Sequence, residues 1–324
     1  MTLNEISKVV LNSNKIGLTF HASPDGDAIG STLALLNALR YIGKDVYVIS
    51  KEVIDDYLSF LPLSEEINGK TEKPLEDTDL VIVLDCGNVE RICADLSDFN
   101  RDIINIDHHI TNDMYGKYNY VDSKAAATCE IVFELLNQMK FEFNDEDNEK
   151  IKEIAMSLYT GIVTDTGSFR HSNVTVRTHT YASKLIGCGI NNSYIHNELF
   201  GNKPLNKLRL TGEAINKLEV HFDGKVSFVE LSLETLERFD MLKGDTSDII
   251  NMILNIEGIE VAVVTKETED GVKASLRSKN DFDVRKIAEI FGGGGHIKAS
   301  GLKINDVSLQ HAKKKILEAI GKEI

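Results

Sequence analysis

Aspartate and histidine recur in four short clusters along this 324-residue chain, each beside an apolar run. The first is LTFHASPDGDAIG, with His21, Asp25 and Asp27. The second is VIVLDCGN, with Asp85, and the third is INIDHH, with Asp107, His108 and His109. The fourth follows the run IAMSLYTGIV, where Asp165 stands just before Gly167. Carboxylate and imidazole are donors for hard and borderline divalent cations. Asp25 and Asp27 flank a single glycine. Beside Asp85 and Asp165 they would repel one another strongly in a partly dry crevice, and a cation relieves that repulsion. Mixed oxygen and nitrogen donors suit Mn²⁺, with Mg²⁺, Co²⁺ or Zn²⁺ as alternatives. Four aspartates and two histidines exceed what one tetrahedral ion takes, and point to two ions sharing a bridging carboxylate. Each fragment alone has a plainer reading: an Asp after a strand is often a turn former or a helix cap, and Asp27 could cap the helix that follows it. Their conjunction is what points to a metal centre.

A second constellation lies near the C-terminus. KASLRSK carries Arg277, and FGGGGHIKASG carries Gly293, Gly294 and His296. Successive glycines allow close backbone approach and leave N–H groups for an anion. A guanidinium holds a phosphate through two parallel hydrogen bonds. Together they read as a clamp for a small anionic substrate.

The elements that must position these groups follow from periodicity. Ile16 to Phe20, Asp45 to Ser50, Leu80 to Leu84 and Ile103 to Ile106 are short apolar runs, and three of the aspartate clusters follow such runs. Helical spacing appears over Asp27 to Ile42, Ala126 to Lys140 and Asn148 to Val163. Strands alternating with helices give a parallel sheet covered on both faces, whose ligand crevice lies beyond the C-terminal strand ends. Gly187 to Pro204 is rich in Gly and Asn and reads as a linker that becomes helical over Asn206 to Leu218. Strands at Lys225 to Leu231, Ile259 to Lys266 and Gly271 to Ser278, with helices near Asp245 to Leu254 and Val284 to Ile290, form a smaller α/β domain. The expected division is 1–186, a linker 187–217, and 218–324.

Composition narrows the partners. The formal charge is 36 − 51 = −15. That argues against a broad surface for long duplex nucleic acid, which is normally basic. From Gly271 onward 11 Lys and Arg face 6 Asp and Glu, a local excess that suits a small anion. Lys313, Lys314 and Lys315 read as a solvated helix face. No apolar run approaches the roughly 20 residues of a membrane span. The N-terminus lacks the basic-then-apolar order of a signal peptide, so a cytoplasmic location is expected. Cys86, Cys93, Cys129 and Cys188 form no CxxC pair and read as buried thiols. Cys86 follows Asp85 on a strand and should point the other way.

HASPDGD, LDCG, IDHH and TDTGSF resemble the four motifs of the DHH phosphoesterases, and KASLRSK with FGGGGHIKASG resembles the DHHA1 domain that follows them in one branch. The resemblance covers nearly the whole chain. Within the branch it is nearest the bacterial oligoribonuclease and phosphoadenosine-phosphate (pAp) phosphatase group, with relatives that degrade cyclic di-adenylate or linear pApA. It implies that His21, Asp25 and Asp85 hold one ion, and that Asp27, Asp85, His108 and Asp165 hold the other. It further implies that His109 faces the reacting phosphate, that Asp107 orients a neighbouring histidine, and that Arg277, Gly293, Gly294 and His296 bind substrate across a cleft between the domains. His171 stands where such proteins often carry Phe or Tyr, which suggests a changed base or ribose contact.

The reaction expected is hydrolysis at phosphorus by a hydroxide shared between two ions, on short oligoribonucleotides, pApA or pAp. A cyclic di-adenylate phosphodiesterase is the alternative. An inorganic pyrophosphatase fits poorly, because the GGGGH signature is foreign to it. A silent nucleotide sensor fits poorly because the motif residues are intact. A homodimer is compatible with the sequence.

Overall fold

The computed structural model describes residues 1–143, 147–242, 244 and 246–324. Two compact units emerge, Met1–Asn202 and Lys203–Ile324. The boundary falls within the segment expected as a linker, and much of that segment is helical.

The first unit runs α1 (Leu3–Asn12), β1 (Lys15–Thr19), α2 (Gly26–Tyr41), β2 (Asp45–Val48), β3 (Leu80–Leu84), β4 (Asp102–Asp107) and β5 (Tyr118–Val121). Helices α3 (Thr128–Gln138), α4 (Glu149–Asp165), α5 (Val176–Ile186) and α6 (Asn192–His196) follow, and a π-helical turn, Asn197–Gly201, ends the unit. The strands form one parallel sheet in the order β2-β1-β3-β4-β5. The central strand β3, LVIVL, is apolar on both sides, as a doubly covered parallel strand must be. All five residues of β3 are buried.

The two faces are closed differently. Ile16, Leu18, Leu80, Ile82, Leu84, Ile104 and Ile106 pack under α1 to α6 in one large core. The opposite face buries Val81 and Val83 with Ile49, Cys86, Ile92 and Ala94, and none of these comes from a helix. The sequence reading expects helices on both faces. On this face the crossover from β3 to β4 does the covering, and it forms only a 3₁₀ turn, Val89–Arg91.

Helix α2 begins where Asp25 accepts hydrogen bonds from the N–H groups of Asp27 and Ala28 at 3.0 and 3.1 Å. It is buried all round from Gly26 to Leu39. Helix α4 crosses it at a close approach that only glycine permits. A Cβ on Gly30 would stand 2.5 Å from the Ser157 carbonyl, and one on Gly161 would meet Cys129 Sγ and come within 2.8 Å of Asp27 Oδ1. This approach brings the end of α4, with Asp165, against Asp27. Gly161→Ala should therefore destabilise by about 1–3 kcal/mol through overpacking and also depress activity by moving Asp27. Gly212 has open space around it, so Gly212→Ala should stabilise by about 0.5–1 kcal/mol. Chemical denaturation of both variants checks the opposite signs.

The second unit runs α7 (Leu205–Asn216), β6 (Glu219–His221), β7 (Val226–Leu231), α8 (Leu233–Arg238), α9 (Ser247–Leu254), β8 (Val261–Thr268) and β9 (Gly271–Ser278). It continues through α10 (Val284–Ile290), β10 (Gly294–His296), β11 (Ala299–Asn305) and α11 (Leu309–Ile320). Asp245, the expected start of α9, lies outside the described residues. The mixed sheet has the order β10-β11-β9-β8-β7-β6, with only β7 and β8 parallel. Val261, Val263 and Leu276 pack against α10 and α11 on one face. Val229, Leu231, Ala262 and Val264 pack against α7, α8 and α9 on the other.

Candidate metal centre

In the order β2-β1-β3-β4-β5 the winding reverses between β1 and β3, and a crevice opens there beyond the strand ends. His21 follows β1, Asp85 follows β3 and Asp107 ends β4. Asp85 has a left-handed backbone, φ 54°, which breaks the strand and turns its carboxylate into the crevice. Asp165 is the last residue of α4, so it belongs to the helix instead of following it as the sequence suggested.

The carboxylates and imidazoles converge. Nε2 of His21 lies 3.5 Å from Asp85 Oδ2 and 3.9 Å from Asp25 Oδ1. Nε2 of His108 lies 3.3 Å from Asp165 Oδ2, 3.5 Å from Asp85 Oδ1 and 4.0 Å from Asp27 Oδ2. His21, Asp25 and Asp85 form one group whose candidate ligand atoms all lie within 4.8 Å of one another, and Asp27, His108 and Asp165 form a second. Asp85, His108 and His109 form a third by distance alone. In that third group His109 offers Nδ1, which is bonded to Asp107 Oδ1 at 2.7 Å, so its exposed edge is Nε2. The other two rings turn Nδ1 to backbone carbonyls, His21 to Ala22 at 3.0 Å and His108 to Ala125 at 3.3 Å. A proton on Nδ1 completes each bond and leaves the Nε2 lone pair aimed at the carboxylates. This donor set fits divalent cations.

Asp27 has a second task. The N-cap position of α3 is Ala127, whose side chain cannot cap it. The Asp27 carboxylate accepts the N–H groups of Thr128 at 2.5 Å and Cys129 at 2.8 Å instead. Asp25 caps the helix that contains Asp27, while Asp27 caps α3. Thr128 Oγ1 also donates to Asp85 Oδ1 at 3.0 Å. Asp107 accepts from the His108 N–H at 2.8 Å and from Asn112 Nδ2 at 2.6 Å, and this fixes the carboxylate that holds His109. Beyond Asp165, Gly167, Ser168 and Phe169 are all left-handed. That turn brings His171 against Gly167, with Nδ1 3.3 Å from the Asp165 carbonyl. All four cysteines are buried thiols.

In the second unit, strand registers set His296 opposite Ala299 and Ala299 opposite Arg277. Paired residues share a face, so the Arg277 and His296 side chains stand on one side, two strand spacings or about 10 Å apart. Ala262, next in the row, belongs to the core under α9. Past it, Lys273, Gly301, Lys303, Gly294 and His296 are exposed on the same face. The glycine run differs from expectation. The N–H groups of Gly292 and Gly293 bond to Glu289 and Ala288 carbonyls at 3.1 and 2.9 Å and close the end of α10, so they are not free for an anion. A Cβ on Gly293 would collide with the Gly301 carbonyl, whereas one on Gly294 would meet nothing within 4 Å. Within the run, Gly294 alone is a glycine without an internal steric reason.

Residues 15–162 match the model of the DHH family, N-terminal domain, and residues 224–324 match the DHHA1 domain. The bifunctional oligoribonuclease and PAP phosphatase NrnA of Thermus thermophilus is 33% identical over 99% of this chain and 93% of its own length. The protein of the same name from Bacillus subtilis is 32% identical over 93% and 92%. The chain belongs to the DHH/DHHA1 family. Among solved structures, an exopolyphosphatase-related protein from Bacteroides fragilis superposes with a TM-score of 0.90 at 29% identity, over 99% of this chain and 95% of that one. This DHH protein is thus a metal-dependent phosphoesterase. Among the described residues no helix is long and apolar enough to cross a membrane.

The carboxylates and imidazoles of this centre shift one another's ionisation. Burial drives Asp27 and Asp165 well above the usual carboxylate range, reinforced by the neighbouring Asp85 charge. Burial also opposes ionisation of Asp85, but the imidazoles of His21, His108 and His109 prevail and hold it at about 2. The hydrogen bond from His109 to Asp107 lifts His109 to about 9 against its burial. Metal-free stability should respond with a definite sign. Groups with raised folded pKa values stabilise below their unfolded pKa and lose that contribution as pH rises through the folded value. For His109 that window runs from 6.5 to about 9, and Asp27 and Asp165 act in the same direction. Asp85 and Asp107 have lowered values. Their contribution is lost only in acid and does not oppose the trend. Metal-free protein should thus have a lower Tm at pH 8.5 than at pH 6, and the gain in Tm from a divalent cation should be larger at the higher pH. Calorimetry with and without chelator tests both.

Proposed function

We propose that this protein hydrolyses short oligoribonucleotides, pApA or pAp with two divalent ions, Mn²⁺ first among them. The observation that carries the reading is Asp85, whose Oδ2 faces His21 and whose Oδ1 faces His108. One buried carboxylate thereby reaches two separate ligand groups. His21, Asp25 and Asp85 would hold one ion, and Asp27, Asp85, His108 and Asp165 the other. When bound, the ions supply an activated water and neutralise charge on the phosphoryl oxygens.

The chain's own residues do the rest. Asp107 accepts a hydrogen bond from Nδ1–H of His109, which leaves the Nε2 edge for a phosphoryl or leaving oxygen. The bond to Asp107 raises the proton affinity of His109, which suits it to donate there. Arg277 and His296 would bind the nucleotide's phosphate, with Gly293 and Gly294 shaping the approach. The names of the NrnA relatives, bifunctional oligoribonuclease and PAP phosphatase, support oligoribonucleotide and pAp as substrates here.

A substrate panel with Mn²⁺ tests the proposal: pAp, pApA, cyclic di-adenylate, RNAs of graded length and pyrophosphate. Turnover should be greatest on pAp, pApA and the shortest RNAs, and should vanish on chelation. Mn²⁺ should restore it and Ca²⁺ should not, because Ca²⁺ takes longer bonds and more ligands. Activity that survives chelation, or a preference for long RNA or pyrophosphate, would overturn the reading.

A further inference from the structure

Arg91 stands beside the metal centre with no ion-pair partner among the described residues. It ends the 3₁₀ turn Val89–Arg91. Its backbone is held from two sides. Asn88 Oδ1 accepts its N–H at 3.2 Å, and its carbonyl accepts the Ala22 N–H at 2.6 Å. Ile92, the next residue, pairs with His21 in an antiparallel bridge. The crossover is thus zipped to the segment that carries His21. The Arg91 side chain is exposed, and its Nη2 lies 3.3 Å from Nδ1 of His21.

That contact cannot be a hydrogen bond when His21 ligates an ion. A guanidinium offers donors and no acceptor. Nδ1 of His21 already faces the Ala22 carbonyl at 3.0 Å. Only a proton on Nδ1 frees Nε2 toward Asp25 and Asp85, and a nitrogen that donates does not accept. In the metal-loaded protein Arg91 therefore has its donors to offer elsewhere, one imidazole away from the centre. A fixed cation beside bound cations is repulsive until an anion completes the group. Guanidinium geometry matches phosphate oxygens.

We propose that Arg91 is a phosphate-binding residue of the N-terminal unit, which contacts a non-bridging oxygen of the phosphoryl group undergoing hydrolysis. This rests on the reading of His21 as an ion ligand. Unlike Arg277, Arg91 would serve every substrate, including esters too small to engage the second unit.

The test uses the full chain as wild type, Arg91→Ala and Arg91→Lys. Calorimetry gives Mn²⁺ affinity, and then the affinity of the Mn²⁺-loaded protein for inorganic phosphate. Kinetics give kcat/KM for bis-p-nitrophenyl phosphate. Arg91→Ala should bind Mn²⁺ within twofold of wild type, bind phosphate about 10- to 100-fold more weakly, and lose a similar factor on the small ester. Arg91→Lys should recover part of the loss, because it keeps the charge without the fork. Unchanged phosphate affinity in Arg91→Ala would overturn the proposal and leave the metal reading standing. Weakened Mn²⁺ binding that accounts for the loss would make Arg91 a positioning residue for His21, which also overturns it. Wild-type protein that binds no Mn²⁺ would overturn the proposal and the metal reading together.

Discussion

Replacing Asp85 by asparagine should reduce kcat/KM by on the order of 10³-fold or more, beyond the roughly 10²–10³ that one transition-state donor supplies. Asp85 faces the imidazoles of both ligand groups. Asp85 is 1% exposed, lies 3.5 Å from Nε2 of both His21 and His108, and accepts the Thr128 hydroxyl at 3.0 Å. Asparagine is the cleaner variant because it tolerates the left-handed backbone that Asp85 adopts. Alanine adds strain of about 1–3 kcal/mol at that position. The fold should survive the asparagine change, since the surrounding core is apolar and independent of the carboxylate. The measurement is kcat/KM at saturating Mn²⁺ with circular dichroism alongside. Activity within tenfold of wild type would remove Asp85 from the bridging role.

Arg277→Ala and His296→Ala should instead separate substrates. Loss of a charge-assisted contact to phosphate costs about 1.5–3 kcal/mol, or roughly 10- to 150-fold in kcat/KM. That loss should fall on pApA and leave bis-p-nitrophenyl phosphate nearly unchanged, with Mn²⁺ content unaffected. The two side chains stand on one row of the second unit's sheet, apart from every residue of the metal groups in sequence and in unit. Equal losses on both substrates would mean that these residues act in the chemical step or in folding, and would end the division of labour.

The convergence of carboxylates and imidazoles was legible because each donor type follows an apolar run, and strand ends in a parallel sheet share one edge. What joins them was not. A linear reading offers Asp27 as a cap for the helix that follows it, but Asp25 caps that helix, and only the packing of α3 shows that Asp27 receives the Thr128 and Cys129 amides. Thr128 and Asn112 carry no signal of their own: a threonine opening a helix and an asparagine in a turn are ordinary. Asn112 matters because the fold sets it against Asp107. Arg91 follows LDCGNVE without a motif and gains meaning only through the bridge from Ile92 to His21. Strand β5 was missed because YNYV is a half-buried edge that lacks the apolar run of its neighbours. The glycine run suggested an anion nest, but two of its amides close α10. Helices on both faces were expected from the alternation rule, yet the β3–β4 crossover covers its face with buried loop side chains instead.

Two ions held through one carboxylate make a claim that magnetism tests without any substrate. Mn²⁺ ions about 3.5–4 Å apart and bridged by a ligand are exchange-coupled. Electron paramagnetic resonance of protein equilibrated with Mn²⁺, with the bound metal counted on the same sample, should show two ions per chain and a coupled spectrum. In Asp85→Asn the coupling should disappear. One ion per chain, or two ions with the separate six-line spectra of isolated Mn²⁺ in the wild type, would contradict the shared centre.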